Sequence, residues 1–187
     1  MIVLASGSPR RGEILTKAGI PFVREVPSSI DETPAAGELP RDYVVRLARE
    51  KAESIEAGEG RIVLGADTTV VIEDTILGKP SSPSDAARML RLLSGRSHEV
   101  ITGVCLRSVR GQVADAAITR VWFSALSDAD IESYVASGEP MDKAGAYGIQ
   151  GLASKFVERI EGCYFNVMGL PVALVYKHLR ANPAFVL

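Results

Sequence analysis

Two β-rich runs, 98–109 and 112–124, are separated only by Arg110-Gly111, and they constrain the fold more than any other feature of the chain. Runs of that length joined by so short a turn form a long hairpin, which makes their part of any sheet antiparallel. The segments before them alternate differently. Residues 2–5 make a short buried strand, 10–18 a helix stopped by Gly19, and 22–26 a loosely alternating strand. A proline-punctuated loop fills 27–39, and a helix follows over 41–57. The buried run 62–66 and the β-branched run 69–72 read as two more strands. Ser82-Pro83-Ser84-Asp85 supplies a cap, a first-turn proline and a capping-box acid for a helix to about Leu93. Ser127 caps another helix that stops at Gly138. A last helix starts near Val167 or Pro171 and reaches about Arg180, leaving 181–187 as a tail expected to fray. Strand–helix alternation interrupted by a hairpin predicts an α/β fold with a mixed sheet flanked by helices. With 187 residues the expectation is one domain over 1–187.

Composition removes several function classes. A net charge of −2 and 6% aromatic residues do not suit a nucleic-acid coat or a base-stacking platform. Phosphate recognition would have to come from a local cation cluster. No apolar run approaches the roughly 18 residues of a membrane span. Met1 to Ala5 is too short for a signal peptide. Cys105 and Cys163 lack metal-ligand spacing and are expected to be free thiols of a reducing compartment.

Three places break local rules, and such breaks point to function. In Ser6-Gly7-Ser8-Pro9-Arg10-Arg11, Ser8 should cap the helix and Pro9 should take its first position. Arg10 and Arg11 then lie in the first turn, where the helix dipole opposes cations unless an anion is bound. The plain alternative is a solvated basic turn. Lys51 falls in the middle of an apolar stripe defined by Val44, Leu47, Ala48 and Ile55, so it must snorkel or meet an anion. Asp67 directly follows the buried run 62–66, at the expected carboxyl end of a strand, where α/β folds gather ligands. A turn aspartate bonding its own backbone is the alternative.

Glu32 could bring a second carboxylate, although a solvated loop acid is the more common explanation, and Lys79 in Gly78-Lys79-Pro80 a phosphate contact, although surface lysines are abundant. His98 and His178 support no nucleophilic triad, and there is no Walker-type glycine loop. Two carboxylates and several cations, without a good nucleophile, suit a metal-activated water attacking a phosphate ester or anhydride.

Leu4-Ala5-Ser6-Gly7-Ser8-Pro9-Arg10-Arg11, Gly65-Ala66-Asp67-Thr68-Thr69, Gly78-Lys79-Pro80 and Ser94-Gly95-Arg96-Ser97-His98 resemble the motifs of the Maf family. So do the later runs from Asp142 to Gly151 and from Asn166 to Pro171, in the family's order. The resemblance implies a cytoplasmic nucleoside triphosphate pyrophosphatase with a fold shared with inosine triphosphate pyrophosphatases. It further implies a divalent metal (Mg²⁺ or Mn²⁺), a nucleoside triphosphate substrate and a homodimer. Asp67 matches the proton acceptor and Glu32 a polar position of the substrate cleft, and the mechanism expected from them has a divalent metal bridging the triphosphate and one or both of Glu32 and Asp67. Ser8, Arg10, Arg11, Lys51, Lys79 and Gln150 match polar positions of the substrate cleft. Arg10, Thr68 and Gln150 resemble the group acting on dTTP and UTP rather than the one preferring 7-methyl-GTP. Modified pyrimidine triphosphates are alternative substrates. A nucleotide-binding regulator of cell division is the alternative outside enzymes.

Overall fold

Ile2, Val3, Leu4 and Ala5 have no competing polar neighbour, and they form the buried strand β1 (Ile2–Ala5), none of them more than 1% exposed. The computed structural model describes residues 1–27 and 30–185. After β1 come α1 (Pro9–Lys17), β2 (Phe22–Glu25), α2 (Pro40–Glu53), β3 (Ile62–Ile72), β4 (Thr75–Leu77) and α3 (Pro83–Leu93). Then follow β5 (Ser97–Ser108), β6 (Gly111–Phe123), α4 (Asp128–Ala136), β7 (Val157–Glu161), α5 (Tyr164–Val167) and α6 (Val172–Ala181). Short 3₁₀ turns occupy Glu139–Asp142, Ala144–Ala146, Leu152–Phe156 and Pro183–Phe185. The strands form one seven-stranded mixed sheet in the order β2-β1-β3-β5-β6-β7, with β4 on β3. β1 pairs parallel with β2 and β3, whereas β3–β4 and β6–β7 are antiparallel. No helix among the described residues is long and apolar enough to cross a membrane.

Several predicted boundaries move. The two strands expected at 62–66 and 69–72 are one strand, because the β-branched run Thr68-Thr69-Val70-Val71-Ile72 continues the extended backbone. Asp67 therefore lies in the interior of β3, not at the end of a strand. Helix α2 closes at Glu53, four residues earlier than 57, with the Ser54 N–H on Glu50 O. Both proposed starts of the last helix mark something real: Val167 ends α5, and Pro171 is the N-cap of α6. The tail is more ordered than expected, since Phe185 is buried and Ser108 Oγ donates to Ala184 O at 2.9 Å. Ser28 and Ser29 of the loop over 27–39, and Val186 and Leu187 of the tail, lie outside the described residues.

The chain packs as two compact units. The first comprises residues 1–67, 102–117 and 169–187, the second 68–101 and 118–168. The second unit has a core of Leu77, Leu90, Leu93, Val121, Phe123, Ile131 and Phe156. His98 is buried there, edge-on to Phe123 and Tyr147, with Nε2 at 2.7 Å from the Tyr147 hydroxyl. Burial pushes His98 down to about 4, which keeps it neutral near pH 7.

In the first unit α2 lies on the sheet through Val44, Leu47, Ala48 and Ala52, all fully buried. Two glycines make the approach close. A Cβ on Gly65 of β3 would stand 2.1 Å from Ala48 O, and one on Gly103 of β5 would stand 2.2 Å from Val44 O. Both obstacles are helix backbone, which cannot rotate away. Gly65→Ala or Gly103→Ala should therefore push α2 off the sheet and cost about 2 kcal/mol or more, within the overpacking range. Urea unfolding checks this: midpoints equal to wild type would mean that α2 does not need these contacts.

Candidate active site

Strand alternation places Gly65 and Asp67 on one face of β3, the face covered by α2. Lys51, near the end of α2, is aimed at the same face. Its ammonium donates to Asp67 Oδ1 at 2.6 Å and to Glu32 Oε1 at 2.6 Å. The side chains of Lys51 and Asp67 are only 12% and 11% exposed, whereas that of Glu32 is 48% exposed. Of the two expectations for Lys51, meeting an anion is the correct one, and the anions are the protein's own carboxylates. Low exposure strengthens the attraction and makes loss of either partner costly.

The Glu32 loop is fastened to α2 from behind. Tyr43 Oη donates to Glu32 O at 2.8 Å, and Arg46 Nη2 to Thr33 O at 3.2 Å. Arg46 also forms a two-pronged pair with Glu38, Nε to Oε1 at 2.7 Å and Nη2 to Oε2 at 2.8 Å. The Tyr43 hydroxyl is pushed up to about 12, first by burial and then by Asp67 and Glu32.

The turn from β1 into α1 borders this cluster. Ser8 occupies the N-cap and Pro9 the first helical position, as the sequence suggests, but the Ser8 hydroxyl makes no capping bond. The buried Ser6 hydroxyl holds the turn instead: Ser6 Oγ accepts from the Ser8 N–H at 3.2 Å and from Arg11 Nη1 at 3.0 Å. Arg11 Nε donates to Gly169 O at 2.8 Å. Burial lowers the Arg11 guanidinium from its ordinary value, while nearby Asp67 raises it, Arg10 lowers it and Glu32 raises it. Arg11 is thus a fixed positive charge beside the carboxylates, rather than a side chain reaching into solvent for an anion. Arg10 and Ser8 are both half-buried.

Thr68, Lys79 and Gln150 belong to the second unit. Alternation sends Thr68 to the face of β3 opposite Asp67. Lys79 is exposed on a turn held by the Gly145 N–H on Gly78 O at 3.0 Å. Gln150 is exposed in the turn closed by the Gly151 N–H on Gly148 O at 3.1 Å. Glu139 braces that turn, taking the Leu152 N–H at 3.0 Å on Oε2 and the Tyr134 hydroxyl at 2.9 Å on Oε1. The Tyr134 hydroxyl in turn accepts the Gly148 N–H at 3.3 Å.

The structure thus brings together Glu32, Lys51, Asp67 and Arg11. Sequence reasoning missed Ser6, Tyr43, Arg46 and Glu38. Arg46 and Glu50 at helical i,i+4 spacing were visible in the sequence, but such pairs are usually solvated. No group of three or more His, Cys, Asp or Glu is placed to hold a metal among the described residues. Glu32 and Asp67 offer two carboxylates around one cation position. That donor set suits a hard divalent ion such as Mg²⁺, which takes one or two carboxylates and completes its shell with water and substrate phosphate.

Both cysteines are free, Cys105 buried and Cys163 half-buried. The "Maf-like protein" family model matches residues 1–182. A "dTTP/UTP pyrophosphatase" of Syntrophomonas wolfei is 52% identical over 187 residues, covering 98% of this chain and 98% of the relative. Proteins of the same name from Koribacter versatilis and Shewanella oneidensis are 51% and 54% identical. They cover 96% and 91% of this chain, and 93% and 92% of the relatives. Among solved structures, a dITP/XTP pyrophosphatase of Mycobacterium abscessus is similar with a TM-score of 0.42, 15% identity and coverage of 67% and 75% of the two chains. A HAM1 protein of Coxiella burnetii gives a TM-score of 0.44, 19% identity and coverage of 65% and 72%. With the family model spanning almost every residue, and half of all positions shared with full-length relatives, the chain belongs to the Maf family.

Proposed function

We propose that the protein hydrolyses dTTP and UTP, and modified pyrimidine triphosphates of similar shape, to the monophosphate and pyrophosphate. The observation that carries the chemistry is the Lys51 ammonium held 2.6 Å from both Glu32 and Asp67 beside the fixed charge of Arg11. The names of the half-identical relatives support the choice of substrate.

In this mechanism Asp67 takes a proton from, or orients, the water that attacks the α-phosphorus. A carboxylate with low exposure on a rigid strand is suited to that, because its direction does not drift. Lys51 keeps the Asp67 carboxylate in register and, with Arg10, Arg11 and Lys79, offsets the negative charge of the phosphates and of the departing pyrophosphate. Ser8 and the first N–H groups of α1 set the phosphate register. A divalent ion, Mg²⁺ or Mn²⁺, held by Glu32 and Asp67 would supply further charge neutralisation and acidify the attacking water. Base choice is assigned to Arg10, Thr68 and Gln150. The Gln150 amide both donates and accepts, as the edge of uracil or thymine requires. Cytoplasmic action and a homodimeric assembly accompany the proposal as family expectations.

With Mg²⁺ and dTTP, the expected products are dTMP and pyrophosphate, separated by ion-exchange chromatography. Asp67→Asn should lower kcat at least ~100-fold, the usual contribution of a positioned general base. A correctly folded Asp67→Asn protein with wild-type turnover would remove Asp67 from the mechanism. Nucleotide bound tightly by wild type without turnover would favour a regulatory protein. Lys51→Met should cost about 3 kcal/mol in urea unfolding by leaving facing carboxylates uncompensated. Combining it with Asp67→Asn should restore part of that loss. A Lys51→Met protein as stable as wild type would mean that the ion pairs do not support the fold.

A further inference from the structure

We propose that Arg46, locked to Glu38, is the positioning residue that holds the Glu32 carboxylate at Lys51; this rests on Glu32 serving the proposed hydrolysis. Glu32 lies in the loop between β2 and α2, outside regular structure, and its side chain is half exposed. A carboxylate in such a loop would ordinarily sample many directions. Here two adjacent carbonyls of the loop are gripped by one helix: Glu32 O by the Tyr43 hydroxyl and Thr33 O by Arg46 Nη2.

Arg46 can grip because its own geometry is fixed. Its Nε and Nη2 meet both oxygens of Glu38 at 2.7 and 2.8 Å, and Nη1 meets Glu50 Oε1 at 3.2 Å. Glu38, at the far end of the same loop, has a side chain only 11% exposed and also accepts the Ala35 N–H at 3.0 Å. The guanidinium of Arg46 holds Glu38 down to about 2, so this clasp stays charged through the whole range in which the enzyme would work. An isolated surface pair contributes little, but a bidentate arginine fork with a further backbone acceptor has directional strength that a single contact lacks. One side chain thereby ties both ends of the 33–38 segment to α2, the helix that carries Lys51. A lysine at this position could not reproduce the planar fork.

The test is a double-mutant cycle on dTTP hydrolysis with Mg²⁺, using Arg46→Met, Glu32→Gln and the pair. Arg46→Met should lower kcat about tenfold with KM within about twofold of wild type, since misplacement of a reacting group is felt chiefly in turnover. In the Glu32→Gln background the same change should cost less than about twofold, because the group it positions is already gone. Glu38→Gln should repeat the pattern, and Arg46→Lys should fail to rescue it. These two variants preserve the test if Arg46→Met folds poorly. An equal loss in both backgrounds would overturn the proposal, because Arg46 would then act through something other than Glu32. Wild-type turnover in Arg46→Met and Glu38→Gln would overturn it as well. If Glu32→Gln alone turns over like wild type, the role given to Glu32 fails first, and the proposal falls with it.

Discussion

One ammonium shared by two carboxylates sets the arrangement of the first unit. Lys51 can reach Asp67 only because α2 lies directly on the sheet, and α2 lies there only because Gly65 and Gly103 present no side chain to its backbone. The same helix face carries Val44, Leu47, Ala48 and Ala52 into the core, so the hydrophobic contact and the ion pair stabilise the same position. Moving the helix outward by one methyl group would loosen both. Chemistry and packing are thus coupled through helix placement, and they need not share residues.

Charge balance follows from that placement. Glu32 and Asp67 are offset locally by Lys51 and Arg11, although the chain carries −2 overall. Arg11 is committed to Ser6 and Gly169, which fixes where its charge stands. Arg10 is half-buried and Lys79 exposed. His98, the one fully buried histidine among the described residues, is held neutral by burial within an aromatic core, which keeps it out of this charge arithmetic.

Much of this was legible before any coordinates. Local capping chemistry located α3 and α4 almost to the residue, because Ser82 and Ser127 each accept the bond that their sequences promise. The lysine in an apolar stripe, the second of the paired arginines and the aspartate after a buried run proved to be neighbours. What failed was non-local or chemically disguised. β4 was invisible because its hairpin turns on Glu73 and Asp74, both at positive φ, without the glycine or asparagine that usually announces such a turn. β7 was missed because it is a charged strand, Val157-Glu158-Arg159-Ile160-Glu161, pairing with β6 alone at the sheet edge. Ser6 looked like one more motif serine, yet its hydroxyl, not that of Ser8, holds the turn and the Arg11 guanidinium, since only the folded turn shows which hydroxyl faces inward. Arg46 could not be distinguished from a solvated helix arginine until Glu38 was seen to fold back onto it.

The central claim is that this cluster directs water to the α-phosphorus of a pyrimidine nucleoside triphosphate. Hydrolysis of dTTP in ¹⁸O-labelled water, with mass spectrometry of both products, tests it most directly. The account predicts that the label enters dTMP and leaves pyrophosphate unlabelled. Label in pyrophosphate with unlabelled dTMP would place the attack at the β-phosphorus and contradict the roles given to Asp67, Lys51 and the leaving-group cations.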